Sequence, residues 1–207
     1  LARAGAGFLR LVDRDVPELD NLHRQMLYDE DDVRERRPKA VAAAARLQRI
    51  NSALMVEPLA VDANPANIAS LVQGMTLVMD GLDHAETRYL LNDVCVRDGI
   101  PWIYGGVLGV AGIVVPVLPG QGPCLRCLWP EPPPPGSLPT CVSAGVLNAA
   151  SAMVAAQQAA CAIRLLVGHP PLVDHHAVES LSLDPWQPHF RKTVVRRQAD
   201  CPCCHQR

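Results

Sequence analysis

Short apolar runs of strand length alternate along the chain with longer segments of helical pattern. Residues 8–12 and 75–80 are continuous apolar runs next to an aspartate, and residues 54–60, 101–106 and 112–118 also fit strands. Continuous apolar runs are typical of strands that are buried on both faces of a parallel sheet. Because strands that alternate with helices build such sheets, the pattern predicts an α/β fold with a mainly parallel sheet.

Glycine and proline indicate where the predicted helices begin and end. Pro38 suits the first position of an alanine-rich helix, and Gly99 suits the residue just after a helix. A long small-residue helix is expected to stop at Gly168 and Pro170. The predicted helices cover residues 38–47, 64–73, 85–98 and 145–167, and antiparallel edge strands are expected at residues 173–183 and 190–197.

The N-terminal residues resemble the end of a helix rather than a beginning. Residues 1–4 are followed by Gly5, which suits a helix C-cap, so we expect a strand and most of a helix upstream. The N-terminus lacks the pattern of a signal peptide. Polar residues interrupt the apolar stretch 142–167, so the sequence predicts no membrane span and a cytoplasmic location.

Composition argues against nucleic-acid and membrane partners. The chain has 207 residues, a formal net charge of -2 and 49% hydrophobic residues, which is enough for one sizeable domain. A nearly neutral chain has no electrostatic attraction to phosphate backbones or anionic lipids. Aromatic residues make up only 4% of the chain, which also argues against a surface for base stacking.

Four of the eight cysteines form two C-x-x-C pairs, Cys124 with Cys127 and Cys201 with Cys204. In a chain without a secretory signal, paired C-x-x-C motifs indicate zinc rather than disulfides. Four thiolates complete a tetrahedral set, so the predicted zinc is structural. Cys203 and His205 compete for the second pair, and the two-residue gap favours Cys201 and Cys204.

The segment from Asp13 to Gln25 follows the first predicted strand with a polar, hydrogen-bonding loop. Nucleotides bind at the carboxyl edge of open α/β sheets, where an acidic residue suits ribose hydroxyls and arginine suits phosphate oxygens. This segment has the pattern D-x-D-x-x-x-x-N-x-x-R-Q. The motifs that follow it in the chain are P-K-A, DGLDHAETRYLLND, CLRCLWP, TCVSAGVL and CPCC.

In order and spacing, these motifs resemble the MoeB/ThiF family, relatives of the ubiquitin-activating enzymes, over nearly the whole chain. The resemblance implies a Rossmann-like fold with a single adenylation domain over residues 1–207. It implies ATP-dependent adenylation of the C-terminal Gly-Gly carboxylate of a ubiquitin-like, β-grasp sulfur carrier in a thiamine or molybdopterin type of pathway. It also implies a homodimer and the zinc ligands already given. No rhodanese-like segment follows, so a sulfur donor would act from a separate chain.

The resemblance also implies roles for single residues. Asp13 would hold the ribose hydroxyls, Asn21 and Arg24 would face the phosphates, and Gln25 would belong to the same ATP site. Lys39 would reach the phosphates from the first turn of its helix. Asp83 would lie beside the α-phosphate and hold Mg²⁺, a cation that prefers carboxylate oxygen.

Two departures from the family pattern stand out. His84 stands where the family has asparagine. The G-x-G-x-x-G turn, whose amides would bind the triphosphate, is absent from the 207 residues. Gly5-Ala6-Gly7 is not a substitute, because it suits a helix cap and a turn. We therefore expect the first strand and the glycine-rich loop upstream, and weak or no ATP binding without them.

The remaining cysteines and glycines have different expected roles. Cys141 precedes a predicted helix start, where a thiol can have a lowered pKa, and in some family members the matching residue is a nucleophile; an inert cysteine is an equal alternative. Cys95 and Cys161 are expected in the core. Gly105, Gly106, Gly109 and Gly112 connect strand to strand and indicate close backbone approach. The side chains of His175 and His176 are expected to be exposed to solvent.

Three alternatives stay open beside carrier adenylation. The first is an enzyme similar to tRNA threonylcarbamoyladenosine dehydratase, against which the neutral charge and the C-x-x-C pairs argue. The second is activation of a ubiquitin-like modifier with a thioester at Cys141. The third is a non-catalytic scaffold that binds a β-grasp partner without ATP, supported by the missing glycine-rich loop.

Overall fold

A computed structural model describes residues 1–134, 136–137 and 141–205, with only the backbone of residues 141 and 142. Contacts between Cα atoms divide the chain into two compact units, Leu1–Asn64 and Pro65–Arg207. The single adenylation domain expected over residues 1–207 stays a prediction.

The first unit is a parallel β-α-β arrangement. A 3₁₀ helix at Ala2–Ala4 leads to strand β1 (Phe8–Val12), and a second 3₁₀ turn lies at Leu19–Asn21. Gly5 caps the first 3₁₀ helix with a φ of 88°, as predicted. The remaining elements are helix α1 (Glu30–Arg34), helix α2 (Lys39–Ile50) and strand β2 (Met55–Leu59), which pairs with β1 in parallel from Phe8↔Met55 to Val12↔Leu59.

Helix α2 packs through a face of small residues. Ala40, Ala43, Ala44 and Leu47 are buried and follow the i, i+3, i+4, i+7 spacing of an amphipathic helix. Pro38 was predicted at the first position of this helix, but it lies one residue earlier, at the N-cap. Leu47 joins a core cluster that contains apolar side chains of both strands.

The prediction that β1 is buried was wrong. Phe8 is 40% exposed and Val12 is 36% exposed. In the described part of the chain β1 pairs with β2, and α2 covers one face of that pair, so alternate side chains of β1 stay outside. Across the pair, Arg10 Nε donates to Glu57 Oε2 at 2.7 Å.

The second unit contains a six-stranded mixed sheet in the order β3-β4-β5-β7-β6, with β8 paired to β7. The strands are β3 (Val78–Met79), β4 (Trp102–Leu108), β5 (Ala111–Val117), β6 (Leu172–Asp174), β7 (Ala177–Asp184) and β8 (His189–Arg196). The helices are α3 (Ile68–Val72), α4 (Ala85–Asp98), α5 (Leu125–Leu128), α6 (Cys141–Ala144) and α7 (Asn148–Leu166).

Parallel pairing in this sheet is confined to β3 and β4, and the other described pairs are antiparallel. The antiparallel C-terminal strands are confirmed. Antiparallel pairing starts earlier than predicted, between β4 and β5, because only Gly109 and Val110 connect these strands. A connection this short permits a hairpin but no parallel crossover. The chain therefore has a Rossmann-like α/β fold with a mixed sheet.

Two helices begin three or more residues later than predicted. Helix α7 begins at Asn148 rather than near residue 145, because Leu147 N donates to Gly109 O at 2.8 Å and Gly109 N donates to Gly145 O at 3.1 Å. This backbone pairing holds Val146 out of the helix. Helix α3 begins at Ile68 rather than Asn64. The helix at Ala85–Asp98 and its stop at Gly99 are confirmed.

Glycines allow α7 to pack closely on the sheet. A Cβ on Gly112 would lie 2.3 Å from Val154 Cγ2, and one on Gly105 would lie 2.4 Å from the Gln158 side chain. Close approach is thus found at Gly105 and Gly112, where side chains of α7 make the contact, whereas no described atom lies within 4 Å of a Cβ added to Gly109. By length and composition α7 could cross a membrane, with a mean hydropathy of 1.3, yet Val154 and Gln158 lie buried against β4 and β5.

Candidate functional site

The loop between β1 and α2 carries most of the residues assigned to the ATP site. Asp13 follows β1 directly, and its N–H donates to Leu59 O at 3.1 Å, which extends the parallel ladder by one residue. Its Oδ1 accepts a hydrogen bond from Asp15 N at 2.9 Å, so the side chain closes a turn where the strand ends. This places Asp13 at the carboxyl end of β1, as the sequence predicted.

Asn21 is buried in the 3₁₀ turn within this loop. Its Nδ2 donates to Asp20 Oδ1 at 2.8 Å, and its Oδ1 accepts from Glu18 N at 3.3 Å. Arg24 follows on the same turn, where its Nη1 donates to Asp20 O at 2.9 Å. These bonds hold the turn in shape while other guanidinium donors of Arg24 stay available in its half-buried position.

Gln25 ends the turn with an unusual side chain. Its Oε1 atom is buried and accepts no hydrogen bond from any residue that the structure describes. Leaving a buried acceptor unpaired costs about 1–3 kcal/mol, so this oxygen is suited to accept a hydrogen bond from a bound ligand. The nearby phenol of Tyr28 has its pKa raised to about 12 by burial and by the charges of Asp13 and Asp32, so it stays protonated as a donor.

Lys39 begins helix α2 with a charged side chain that is only 9% exposed. Its Nζ lies 3.6 Å from Asp15 Oδ2, and its N–H donates to Asp15 O at 2.8 Å. A buried ammonium needs a charged partner, and Asp15 supplies one from an exposed position. The sequence analysis missed Asp15, although the D-x-D spacing contained the signal. The pairing is loose enough to leave Nζ donors for an anion.

Asp83 lies in the second unit, on the loop that connects β3 to α4. Its side chain is 73% exposed, and its Oδ1 lies 3.6 Å from His84 Nε2. The histidine that replaces the asparagine of the family pattern therefore faces the carboxylate. An exposed carboxylate fits the oxygen ligand that Mg²⁺ requires.

A buried network that the sequence analysis missed lies behind this loop. Asp80 Oδ2 accepts from Arg88 Nε at 3.0 Å and from Gly105 N at 3.1 Å. Burial raises the pKa of Asp80, while the Arg88 charge and the N–H groups of Leu82 and Gly105 act against this rise. Asp80 lies before α4 and Arg88 lies in its first turns, but nothing in the sequence shows that their side chains meet.

The four cysteines of the two C-x-x-C pairs meet in the second unit. Their Sγ atoms all lie within 4.8 Å of one another, and all four residues are buried. Sγ–Sγ distances are 3.6 Å for Cys124–Cys201 and 3.4 Å for Cys127–Cys204. Tetrahedral zinc with ~2.3 Å bonds requires Sγ atoms about 3.8 Å apart, so this cluster fits a metal ion.

Hydrogen bonds around the cluster keep its geometry. Asn92 is fully buried, and its Oδ1 accepts from Leu125 N at 2.8 Å in the turn that holds the first pair. Gln198 N donates to Cys127 Sγ at 3.4 Å, and Arg197 donates to Cys204 O. Such outer contacts commonly fix the ligands of metal sites.

The two competing ligands lie outside the four-sulfur cluster. Cys203 is half-buried, and its Sγ accepts from Asn92 Nδ2 at 3.5 Å, whereas His205 is exposed.

Hydrogen bonds with Cys124 and Cys204 lower the pKa of Cys127, and bonds with neighbouring thiols raise the pKa values of Cys124 and Cys204. A cation would be needed to hold all four as thiolates.

The other cysteines have separate environments. Cys95 is 0% exposed and Cys161 is 6% exposed, which confirms their place in the core. Burial raises the pKa of Cys95 to about 12 and that of Cys161 to about 11, so both are unreactive thiols. Cys141 is the first residue of α6, and its side chain lies outside the described residues, so its proposed reactivity stays a prediction.

The structure thus groups the predicted residues in three places. The β1–α2 loop and the first residue of α2 hold Asp13, Asn21, Arg24, Gln25 and Lys39, the β3–α4 loop holds Asp83, and α5 with the C-terminal turn holds the four cysteines. Their roles toward ATP stay predictions.

The sequence matches the ThiF family over residues 1–203. The sulfur carrier protein adenylyltransferase of Thermus thermophilus is 41% identical over 210 residues, which cover 99% of this chain and 75% of that protein. The sulfur carrier protein ThiS adenylyltransferase of Bacillus subtilis is 43% identical over 168 residues, or 81% of this chain and 49% of that protein. The SAMP-activating enzyme E1 of Haloferax volcanii is 39% identical over 204 residues.

Solved structures support the fold. The crystal structure of E. coli MccB with ATP superposes with a TM-score of 0.82 at 22% identity. That match covers 98% of this chain and 60% of MccB. At this identity the likeness shows a shared fold.

Proposed function

Because the chain belongs to the ThiF family, we propose that it forms the adenylation part of an enzyme that activates a ubiquitin-like sulfur carrier with ATP. The observation that carries the proposal is the 41% identity, over 99% of the chain, to a protein named sulfur carrier protein adenylyltransferase. The grouping of polar side chains at the carboxyl end of β1 supports it.

In the proposed reaction, a carboxylate oxygen of the carrier's terminal Gly-Gly attacks the α-phosphorus of ATP. The bond to the bridging oxygen breaks, and pyrophosphate leaves with that electron pair. The product is an acyl-adenylate, whose acyl group later accepts sulfur from a donor. Such phosphorus chemistry needs positioning and charge neutralisation more than covalent help from the protein.

Each grouped residue has a proposed part in this step. Asp13 accepts hydrogen bonds from the ribose hydroxyls, and Asn21 and Gln25 contribute amide groups to the same nucleotide. Arg24 and Lys39 donate to phosphate oxygens, for which Nζ of Lys39 turns from its 3.6 Å pairing with Asp15. Asp83 would hold Mg²⁺, whose charge would offset that of the phosphates.

The four-cysteine cluster would hold Zn²⁺ as a structural ion. Its four sulfurs leave no open coordination position, so the ion would stabilise the fold rather than take part in adenylation. The ion would tie the C-terminal turn to helix α5. We also propose a homodimer, as the family resemblance implies.

A second candidate is activation of a modifier that is then passed on through a thioester at Cys141. This second candidate is supported by the relative named SAMP-activating enzyme E1, which matches 99% of this chain. A hydroxylamine-sensitive and thiol-sensitive carrier adduct that disappears in Cys141→Ser would support this candidate.

The experiment that tests the proposal is ATP–pyrophosphate exchange by the complete gene product with a Gly-Gly-ending carrier. We expect exchange that requires the carrier and is lost in Asp83→Ala. Thr193→Ala, on the edge strand β8, is the control and should exchange normally. Absence of exchange with a panel of carriers would contradict the proposal.

A further inference from the structure

Strand β3 is short because a side chain takes over its hydrogen bonding. The backbone ladder with β4 ends where Asp80 N donates to Ile103 O at 3.0 Å. The next group of β4 on this side is the N–H of Gly105, and it donates to Asp80 Oδ2 at 3.1 Å. The carboxylate of Asp80 thus stands where a strand carbonyl would otherwise lie.

Arg88 of helix α4 also replaces a backbone hydrogen bond of the sheet with a side-chain one. Its Nη2 donates to Gly105 O at 3.0 Å, and its Nε donates to Asp80 Oδ2 at 3.0 Å. The ion pair therefore satisfies both backbone groups of Gly105. The backbone after Asp80 is free to leave the sheet, and it forms the loop that contains Asp83.

The pair also holds that loop directly. Leu82 N donates to Asp80 Oδ1 at 2.8 Å, and Arg88 donates to Leu82 O. Both backbone groups of Leu82 are thereby fixed, one residue before Asp83. On the other side, Gln158 Nε2 of α7 donates to Asp80 O at 2.9 Å and to Ile103 O at 3.1 Å.

Burial makes this arrangement well defined. The Asp80 side chain is 0% exposed, and that of Arg88 is 17% exposed. The guanidinium lies 5.0 Å from the centre of the Tyr104 ring, which limits its movement. By contrast the Asp83 side chain is 73% exposed, so its position depends on the backbone that carries it.

We propose that Arg88 is a positioning residue for adenylation, which acts with Asp80 to fix the backbone that presents Asp83. The inference rests on the proposed function and adds a requirement for the guanidinium itself. A lysine ammonium could neutralise Asp80, but a single nitrogen cannot reach Asp80, Leu82 and Gly105 together as the planar fork does. Charge alone would therefore not be sufficient.

The test compares Arg88→Lys with Arg97→Lys, a control on the same helix whose guanidinium bonds Asp98 at the far end. We expect Arg88→Lys to lower kcat of pyrophosphate exchange about 10- to 100-fold, because small displacements of a positioned group have effects of this size. The Mg²⁺ concentration for half-maximal exchange should rise, while KM for the carrier stays within about twofold. Arg97→Lys should leave all three unchanged.

Amide hydrogen exchange measures the position of the loop without using activity. The Leu82 and Gly105 amides should exchange at least about tenfold faster in Arg88→Lys, while amides in β5 keep their protection. Unchanged amide protection in that variant would overturn the inference. A normal kcat in Arg88→Lys would overturn the inference too. So would a fall in kcat that is fully explained by a smaller fraction of folded protein.

Failure of the proposed function has a different signature. A wild-type protein that catalyses no exchange with any carrier would overturn the proposed function and, with it, the requirement for Arg88 in adenylation. The two amides would then still decide whether the ion pair fixes the loop.

Discussion

The guanidinium of Arg126 makes two hydrogen bonds to the carboxylate of Asp93, Nε–Oδ1 at 2.8 Å and Nη2–Oδ2 at 2.7 Å. This paired contact connects α5, which carries the first C-x-x-C pair, to α4. Burial acts to raise the pKa of Asp93, but hydrogen bonds from Arg126 and Asn92 outweigh it and lower that pKa. The cysteine cluster is thus anchored to the helix that follows the Asp83 loop.

The Asp93→Asn variant should lose stability in a pH-dependent way. Because the Asp93 side chain is 40% exposed, solvent screening limits the loss in free energy of unfolding to about 1 kcal/mol at pH 7. A carboxylate with a lowered folded pKa stabilises above its unfolded value of about 3.9, so the loss should persist to about pH 5 and shrink below about pH 4. Urea unfolding of variant and wild type at each pH measures it, with exposed Asp200→Asn as the control. A loss independent of pH would contradict the ion-pair account.

The metal site makes a prediction that separates two neighbouring cysteines. A closed four-cysteine site should bind roughly one zinc ion per chain. Cys204→Ser should abolish this binding and lower Tm, because three thiolates leave the ligand set incomplete. Cys203→Ser should keep its zinc, since Cys203 lies outside the cluster. Metal analysis of the purified proteins and thermal unfolding with and without chelator provide the readout. Full zinc content in Cys204→Ser would exclude the proposed ligand set.

Lys39 should matter for the nucleotide and not for the fold. Lys39→Met removes a buried charge, so the free energy of unfolding should stay the same or rise. Loss of a charged hydrogen bond worth about 1.5–3 kcal/mol should weaken ATP binding about 10- to 150-fold. The chain's other lysine, Lys192 on β8, supplies the matched control Lys192→Met. Calorimetric ATP titration and urea unfolding of the complete gene product test both parts, and normal ATP affinity in Lys39→Met would remove Lys39 from the site.

The contact of Gly112 with α7 predicts an overpacking effect. Gly112→Ala places a methyl group 2.3 Å from Val154 Cγ2, and we expect a loss of about 1–3 kcal/mol in the free energy of unfolding. Gly7→Ala is the control because no atom of the described residues lies within 4 Å of its added Cβ. Adding Val154→Ala to Gly112→Ala should recover part of the loss. An additive effect of the two substitutions would contradict direct contact.

Local signals in the sequence were sufficient for much of the fold. The helix at Ala85–Asp98 and its end at Gly99 follow from helical pattern and the left-handed conformation that glycine adopts there. The four cysteines could be paired from spacing alone. Asp13 and Lys39 were placed at the ends of their elements because strand and helix boundaries were readable.

Features that depend on distant contacts could not be predicted in this way. The late start of α7 depends on the pairing of Val146 with Gly109. These residues are 37 positions apart in the sequence and meet only in the folded chain. The Asp80–Arg88 pair and the contact of Lys39 with Asp15 require side-chain positions that no periodicity contains. Antiparallel pairing of β4 and β5 was missed because the prediction followed the apolar runs and not the short connection between them.

The central claim is tested most directly by the product formed on the carrier. The complete gene product, incubated with ATP, Mg²⁺ and a Gly-Gly-ending carrier, should yield carrier whose intact mass has increased by one adenylyl group. A carrier that lacks the terminal glycine should stay unmodified under the same conditions. Hydrolysis of ATP to ADP without an adenylated carrier, or no turnover with any carrier, would contradict the account.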